Sequence, residues 1–374
     1  MRIALLTRRF DSAGGGTERD LIITAEYLRA AGHQITIFAD EIRGATGEWD
    51  IRRVGPGPRL GRTLSLLRFG WTAAPTARRA GADMVLSFAR CVGADVMRSG
   101  GGAHASYVRA ARKWRGVIGA TAMRITPYHR VQMIVERQAF RSPGLKRVIA
   151  VSNFVRDDLI REFGLAPEKT LTIYNGVDLE RFRPATGPSE RAAIRQKFAV
   201  PSSARVVAFV GNGFARKGLG FLIEAWPLVA GGAFLMVAGA DRQTDKFARR
   251  ARALNVGTRI VFTGPQPNVE TIFHAADAFA MPSLFEPFGN VVMEAMASGL
   301  PPMTSAFSGV AEIIPPSMRG FRVENPNDVG EVALRLGALF DAPASLGAEA
   351  RATAEKFTWT RYAEELNALI GSIG

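Results

Sequence analysis

The chain reads as an α/β protein of two successive doubly wound domains, each a parallel sheet wrapped by helices. Three observations predict this. Short apolar, strand-like runs alternate with helix-length amphipathic stretches along the first 180 residues. A segment rich in Pro and Gly, Arg-Pro-Ala-Thr-Gly-Pro-Ser at 183–189, interrupts the alternation, and the alternation then restarts. The length of 374 residues and a hydrophobic content of 47% suffice for two ordinary cores. Boundaries are expected at 1–180 for an N-terminal Rossmann-like domain and 190–356 for a C-terminal one, with a last helical segment at 357–374. Ligands of such sheets lie outside the carboxyl ends of the strands, here expected in the cleft between the domains.

In order, 3–7 is the first strand and 18–31 a helix closed by Gly32. Strands follow at 34–39 and 83–88, with arginine-rich helical or loop segments between them. The stretch 146–151 is another strand, after which Ser152-Asn153 caps a helix at 154–163 that stops at Gly164. A strand at 169–174 ends in the turn Asn175-Gly176-Val177-Asp178. The second alternation runs strand 206–210, helix 219–229, strand 233–238, helix 246–254, strand 260–263, helix 269–275, strand 278–282 and helix 290–297. Helices at 327–340, 345–356 and 359–372 close the chain.

Composition narrows the function. A single cysteine, Cys91, excludes an internal disulfide and a multi-cysteine zinc site and points to a reducing compartment. Four His, none in a His-x-x-x-His or His-x-His pair, argue against a protein-built transition-metal site, and no metal ion is expected. The first nine residues form a strand and not a signal peptide, and no apolar run is long enough to span a bilayer. The expectation is a soluble protein on the cytoplasmic side of the membrane. The net charge of +14 is uneven: residues 1–180 carry 28 Lys/Arg against 17 Asp/Glu, and 181–374 carry 20 against 17. Within 98–150 there are 11 basic residues and one acid, Glu136, interleaved with Trp114, Tyr128 and Phe140. That mixture suits an anionic membrane surface; a solvated helix face is the alternative. No nucleic-acid-binding motif accompanies the charge, so no nucleic-acid partner is expected.

The chemistry-bearing motifs sit at strand ends. Glu286-Pro287-Phe288-Gly289-Asn290-Val291-Val292-Met293-Glu294 sets two carboxylates eight positions apart around a helix start. Proline suits the first helical position, so Glu286 is expected just outside the helix, beside the N–H groups of Phe288 to Val291. Those groups and the helix dipole form an anion site, and Glu294 lies roughly 12 Å further along. A diphosphate with hydroxylated groups at both ends fits that order; an amphipathic helix with two solvated Glu is the other reading. Gly211-Asn212-Gly213-Phe214-Ala215-Arg216-Lys217-Gly218 joins two glycines to an Arg-Lys pair, as a diphosphate clamp requires, though it is no P-loop. Gly14-Gly15-Gly16 precedes the first helix and permits close backbone approach to a phosphate. A nicotinamide fingerprint there, with Asp40 as the ribose acid, fails because Arg19 stands where its third glycine belongs. Asp20 near the helix start could face the cleft or merely complement the dipole. Ser99-Gly100-Gly101-Gly102-Ala103-His104 places His104 in a loop of the first domain.

Together these residues, with Ser152-Asn153, Asn175-Gly176-Val177-Asp178 and Ala297-Ser298-Gly299-Leu300-Pro301, resemble the family 4 glycosyltransferases, retaining enzymes of the two-domain GT-B fold. Gly-Gly-Thr-Glu-Arg-Asp at 15–20 and Phe-Ala-Arg-Lys-Gly at 214–218 look like the lipopolysaccharide core glucosyltransferases, which act on an inner-core heptose. The resemblance implies that Arg216 and Lys217 hold the donor diphosphate and stabilise departing UDP in place of a metal. It gives the ribose hydroxyls to Glu294 and the hexose hydroxyls to Glu286. Backbone N–H groups of Phe288, Gly289, Asn290 and Val291, with those of Gly15 and Gly16, would contact sugar and phosphate. Asp20 matches an acid facing acceptor or sugar, and His104 stands in the loop where many members carry a functional His. The last helix, with Trp359 and Tyr362, would cross back onto the first domain. The implied function is transfer of a hexose, glucose from UDP-glucose, onto a lipopolysaccharide core or similar lipid-linked glycan at the inner face of the cytoplasmic membrane. Another donor (mannosyl or N-acetylhexosaminyl) and a non-catalytic polyanion or membrane-surface binder are the alternatives.

Overall fold

The structure is a computed structural model that describes residues 1–11, 15–44, 47–55, 61–229 and 231–373. It divides into two compact units, Met1–Gly176 with Trp359–Gly374, and Val177–Thr358.

The first unit contains a seven-stranded parallel sheet in the order β3-β2-β1-β4-β5-β6-β7. The strands are β1 (Arg2–Asp11), β2 (Gln34–Arg43), β3 (Asp50–Arg53), β4 (Met84–Ser87), β5 (Val96–Ser99), β6 (Arg147–Ala150) and β7 (Thr170–Thr172). In the centre, Leu5 pairs with Ile37 on one side and Leu86 on the other. Central strands are buried on both faces, which is why they read as near-continuous apolar runs. The helices are α1 (Gly16–Ala30), α2 (Arg62–Arg79), α3 (His104–Ala110), α4 (Arg112–Ile125), α5 (Pro127–Phe140) and α6 (Asn153–Phe163). Helix α6 begins where the Ser152 hydroxyl accepts the Val155 N–H at 3.1 Å and ends at left-handed Gly164.

The second unit holds a five-stranded parallel sheet in the order β10-β9-β8-β11-β12. Its strands are β8 (Val206–Val210), β9 (Phe234–Ala238), β10 (Ile260–Gly264), β11 (Ala278–Met281) and β12 (Pro302–Thr304). Its helices are α7 (Pro188–Lys197), α8 (Phe214–Lys217), α9 (Leu219–Ala225), α10 (Thr244–Ala253), α11 (Glu270–Ala275), α12 (Asn290–Ala297), α13 (Val329–Phe340) and α14 (Ser345–Ala354). The last helix, α15 (Trp359–Gly371), returns to the first unit. There Trp359, Tyr362, Leu366 and Ile370 join Leu5, Leu21 and Leu86 in one core, the spacing of a helical apolar stripe.

Several expectations are corrected. Strands β3 and β5 were not expected; β5 escapes notice because fully buried Arg98 interrupts its apolar run. The segment 183–189, whose Pro and Gly content reads as a linker between the two alternations, is not irregular throughout, since Pro188 opens α7 at a position where its missing N–H costs nothing. The helix expected over 219–229 ends as α-helix at Ala225, and a 3-10 turn containing Pro227 follows. In both sheets the strand order reverses beside the first strand, between β1 and β4 and between β8 and β11, and such switch points open a crevice at the carboxyl ends.

Candidate active site

The loops leaving β8 and β11, on either side of the switch point in the second unit, carry the strongest constellation. Gly211 follows β8 at φ 141°, and a Cβ there would lie 2.7 Å from Lys217 Cε, so the lysine stem passes directly over the glycine. Gly218 has φ 87°, and its Cβ would come 2.1 Å from the Pro282 carbonyl oxygen. Only glycine lets the two loops approach so closely. The Leu284 N–H then donates to the Arg216 carbonyl at 2.8 Å and joins them.

On this frame Lys217 Nζ donates to Glu286 Oε2 at 2.7 Å, and Arg216 Nη1 donates to the same oxygen at 3.0 Å and to the Phe285 carbonyl at 2.6 Å. The Glu286 backbone is held at both ends: its N–H donates to the Phe307 carbonyl, and its carbonyl accepts the Gly309 N–H, each at 2.9 Å. Burial works to raise the Glu286 carboxyl, but Lys217 and Arg216 outweigh it and hold it at about 2. Glu286 Oε1 accepts no hydrogen bond among the described residues. Glu286 is therefore an ionised carboxylate that positions two cations and keeps one acceptor oxygen unused.

Gly289, at φ 108°, caps α12, which starts three residues after Pro287 and not at it. The proline stays in the loop, and the Val292 N–H turns back to the Gly289 carbonyl at 2.8 Å. Phe288 is buried, its carbonyl accepting the Val310 N–H at 2.8 Å and the Ser308 hydroxyl at 3.1 Å. Asn290 and Val291 form the first helical turn. Glu294 is buried on α12, which removes the reading of two solvated glutamates.

In the first unit, Gly15 caps α1 in extended backbone (φ −78°) and Gly16 opens the helix; Gly14 lies outside the described residues. Asp20 corrects the expectation of a cleft-facing acid. It is 4% exposed, and its Oδ2 accepts Arg98 Nη2 at 2.8 Å and Asn175 Nδ2 at 3.2 Å. Arg98 in turn lies over the Phe88 ring. The cause is the unforeseen β5, which threads a guanidinium into the core that only a buried carboxylate can neutralise.

His104 opens α3, where its N–H donates to Glu136 Oε2 at 2.8 Å and its Nε2 shares a 2.8 Å hydrogen bond with His129 Nδ1. Burial, then the neighbouring His129 and Arg90, bring the His104 imidazole down to about 4, so it is neutral near pH 7. No short spacing betrays this pair, because α5 folds back to bring together residues 25 apart. Asp40, the rejected ribose acid, is held by Arg68 and Ser65. Burial pushes the Cys91 thiol up to about 11, an inert group. Among the described residues no cluster of three or more His, Cys, Asp or Glu could hold a metal ion, and no helix is long and apolar enough to cross a membrane.

Residues 14–181 match the model of Glycosyltransferase Family 4, and residues 190–356 that of Glycosyl transferases group 1. A D-inositol 3-phosphate glycosyltransferase of Streptomyces scabiei is 29% identical over 251 residues, 63% of this chain and 55% of its own length. The chain spans about half the length of the curated relatives it matches. WaaG, a glycosyltransferase involved in lipopolysaccharide biosynthesis, shares the fold with a TM-score of 0.81 at 22% identity, covering 98% of this chain and 99% of that one. Anabaena Alr3699/HepE, solved in complex with UDP-glucose, gives 0.76 at 20% identity with complete coverage of both chains. With both family models matched in succession over nearly its whole length, the chain belongs to the glycosyltransferases that join a family 4 domain to a group 1 domain.

Proposed function

We propose that the chain is a retaining hexosyltransferase that moves glucose from UDP-glucose onto a lipopolysaccharide core or similar lipid-linked glycan. The observation that carries this reading is the convergence of Arg216 and Lys217 on one oxygen of Glu286, at the switch point of the second sheet. UDP-glucose in the HepE complex and the lipopolysaccharide role of WaaG favour the particular donor and acceptor.

Cleaving a glycosyl–phosphate bond builds negative charge on the leaving oxygen. Arg216 and Lys217, already fixed and partly desolvated, answer it as preorganised electrostatic stabilisation, with the α12 N-terminus aiding at Asn290 and Val291. In this reading the free Oε1 of Glu286 accepts hexose hydroxyls, Glu294 accepts those of the ribose, and the N–H groups of Phe288 and Gly289 contact sugar and phosphate. The departing phosphate assists attack from its own face, which retains configuration. The two cations do the charge stabilisation for which other transferases recruit a metal ion, so chelation by EDTA is expected to leave turnover intact. Neutral His104 offers a hydrogen-bonding group for a sugar hydroxyl. Asp20 acts indirectly, by holding Arg98 and Asn175.

Peripheral binding to the inner face of the cytoplasmic membrane belongs to the same reading. Seven of the ten exposed large hydrophobics among the described residues lie on α2, α4 and α5: Leu64, Leu67, Trp71, Val117, Ile118, Ile125 and Ile134. Non-helical Gly116 (φ 69°, ψ 177°) breaks α4 just before Val117 and Ile118. Exposed basic residues stand on α4 and α5 as well, among them Arg112, Lys113, Arg115, Arg124 and Arg130, the combination an anionic lipid surface attracts.

The test is a donor panel of UDP-glucose, UDP-galactose, UDP-N-acetylglucosamine and GDP-mannose, offered with a truncated heptose-terminated core glycolipid. Glucose transfer from UDP-glucose with retained anomeric configuration is expected. Preferential use of GDP-mannose, or no transfer from any donor, contradicts the proposal.

A further inference from the structure

The first unit has an open pocket of about 480 Å³ at the carboxyl ends of β1 and β2 and at the starts of α1, α2 and α5. Its volume suits a small polar ligand. Three acids line it, and each has an arginine of its own: Glu18 with Arg9 at 2.8 Å, Asp40 with Arg68, and Glu41 with Arg43. Two further arginines of the lining are less firmly held. Arg8 Nη2 donates to Ser65 Oγ at 3.4 Å and makes a long ion pair of 3.8 Å with Asp40, whose oxygens Arg68 and Ser65 already hold, and Arg8 Nε is buried without a hydrogen-bond partner. Arg62 has no carboxylate partner among the described residues; its guanidinium lies 4.3 Å from the centre of the Tyr128 ring. The ring fixes the direction of the cation without neutralising it.

We propose that this pocket takes an anionic sugar, with Arg62 and Arg8 gripping a phosphate or carboxylate substituent. Tyr128 and Phe88 give the apolar face of the sugar ring a surface, and Glu18, Glu41 and Thr17 offer partners to its hydroxyls. A planar guanidinium on an aromatic face binds such an anion by two parallel hydrogen bonds. The inference rests on the transferase reading and names the chemistry of its acceptor: the sugar that receives the hexose, or its neighbour, carries a negative charge.

Calorimetric titration of the full chain with glucose 6-phosphate, glucuronate, glucose and inorganic phosphate, at 150 mM salt, tests it. At least one anionic sugar is expected to bind about tenfold or more tightly than glucose and than inorganic phosphate, and the pair of them separates phosphate from carboxylate recognition. Arg62→Gln is expected to lose about tenfold for that sugar, corresponding to about 1.4 kcal/mol, and to keep its UDP affinity, which shows that the variant is folded. If Arg62→Gln fails to fold, Arg8→Gln serves with the same expected loss. Anionic sugars binding no better than glucose, inorganic phosphate binding as well as they do, or an unchanged affinity in the folded variant overturns the proposal. UDP binding reads the donor site separately, so absent UDP binding with intact anionic-sugar binding refutes the donor reading and leaves this one standing.

Discussion

Glu286 carries a double duty that a single residue change exposes. Its Oε2 holds Lys217 and Arg216, so Lys217→Ala removes one of the two cations that support the carboxylate and, in the proposed reading, a cation from the donor diphosphate. Turnover of UDP-glucose is predicted to fall by about 100-fold or more, with the melting temperature showing that the chain still folds. Acid sensitivity follows from the same contact. Glu286 titrates at about 2 in the folded chain against an ordinary 4.5, so its contribution is present above pH 4.5 and lost as pH falls towards 2. That contribution is on the order of 3 kcal/mol. Urea unfolding at pH 5 and pH 3 is predicted to show a steeper loss for wild type than for Glu286→Gln, and equal losses would contradict the assignment. These three residues were legible in the sequence because each stands in a short motif at a strand end. Arg98 and His129 were not, because their partners lie 78 and 25 residues away and only the fold reveals them.

At the scale of elements, the loops of the site depend on glycines whose geometry forbids a side chain. Gly213 and Gly218 both have positive φ, but a Cβ at Gly213 meets open space, whereas one at Gly218 meets the Pro282 carbonyl. Gly213→Ala is predicted to cost about 1 kcal/mol and Gly218→Ala about 3 kcal/mol or more, as measured by urea unfolding. Similar costs for the two would show that the close approach of the loops carries little strain. Strands β8 and β11 and helix α12 were readable from their apolar runs and glycine punctuation. Helix α7 was hidden behind Pro-rich composition, and β5 behind a buried arginine, because patterning assumes that charges face water.

For the whole molecule, the basic and apolar faces of α2, α4 and α5 predict binding to anionic vesicles that weakens as salt rises from 50 to 500 mM. Ile118→Glu is expected to weaken it further; equal binding to neutral vesicles would refute the membrane reading. The return of α15 to the first unit predicts that deleting 359–374 destabilises that unit, since Trp359, Tyr362, Leu366 and Ile370 each contribute about 1.5–3 kcal/mol by burial. The proposed hexosyl transfer depends on the second unit being a nucleotide-sugar site built on Lys217, Arg216 and Glu286. Calorimetric titration of UDP-glucose into the wild-type chain and into Lys217→Ala tests this most directly. Saturable one-site binding to wild type is predicted, with about tenfold or greater loss of affinity in the folded variant. No binding to wild type at millimolar donor, or equal affinity in both, would contradict it.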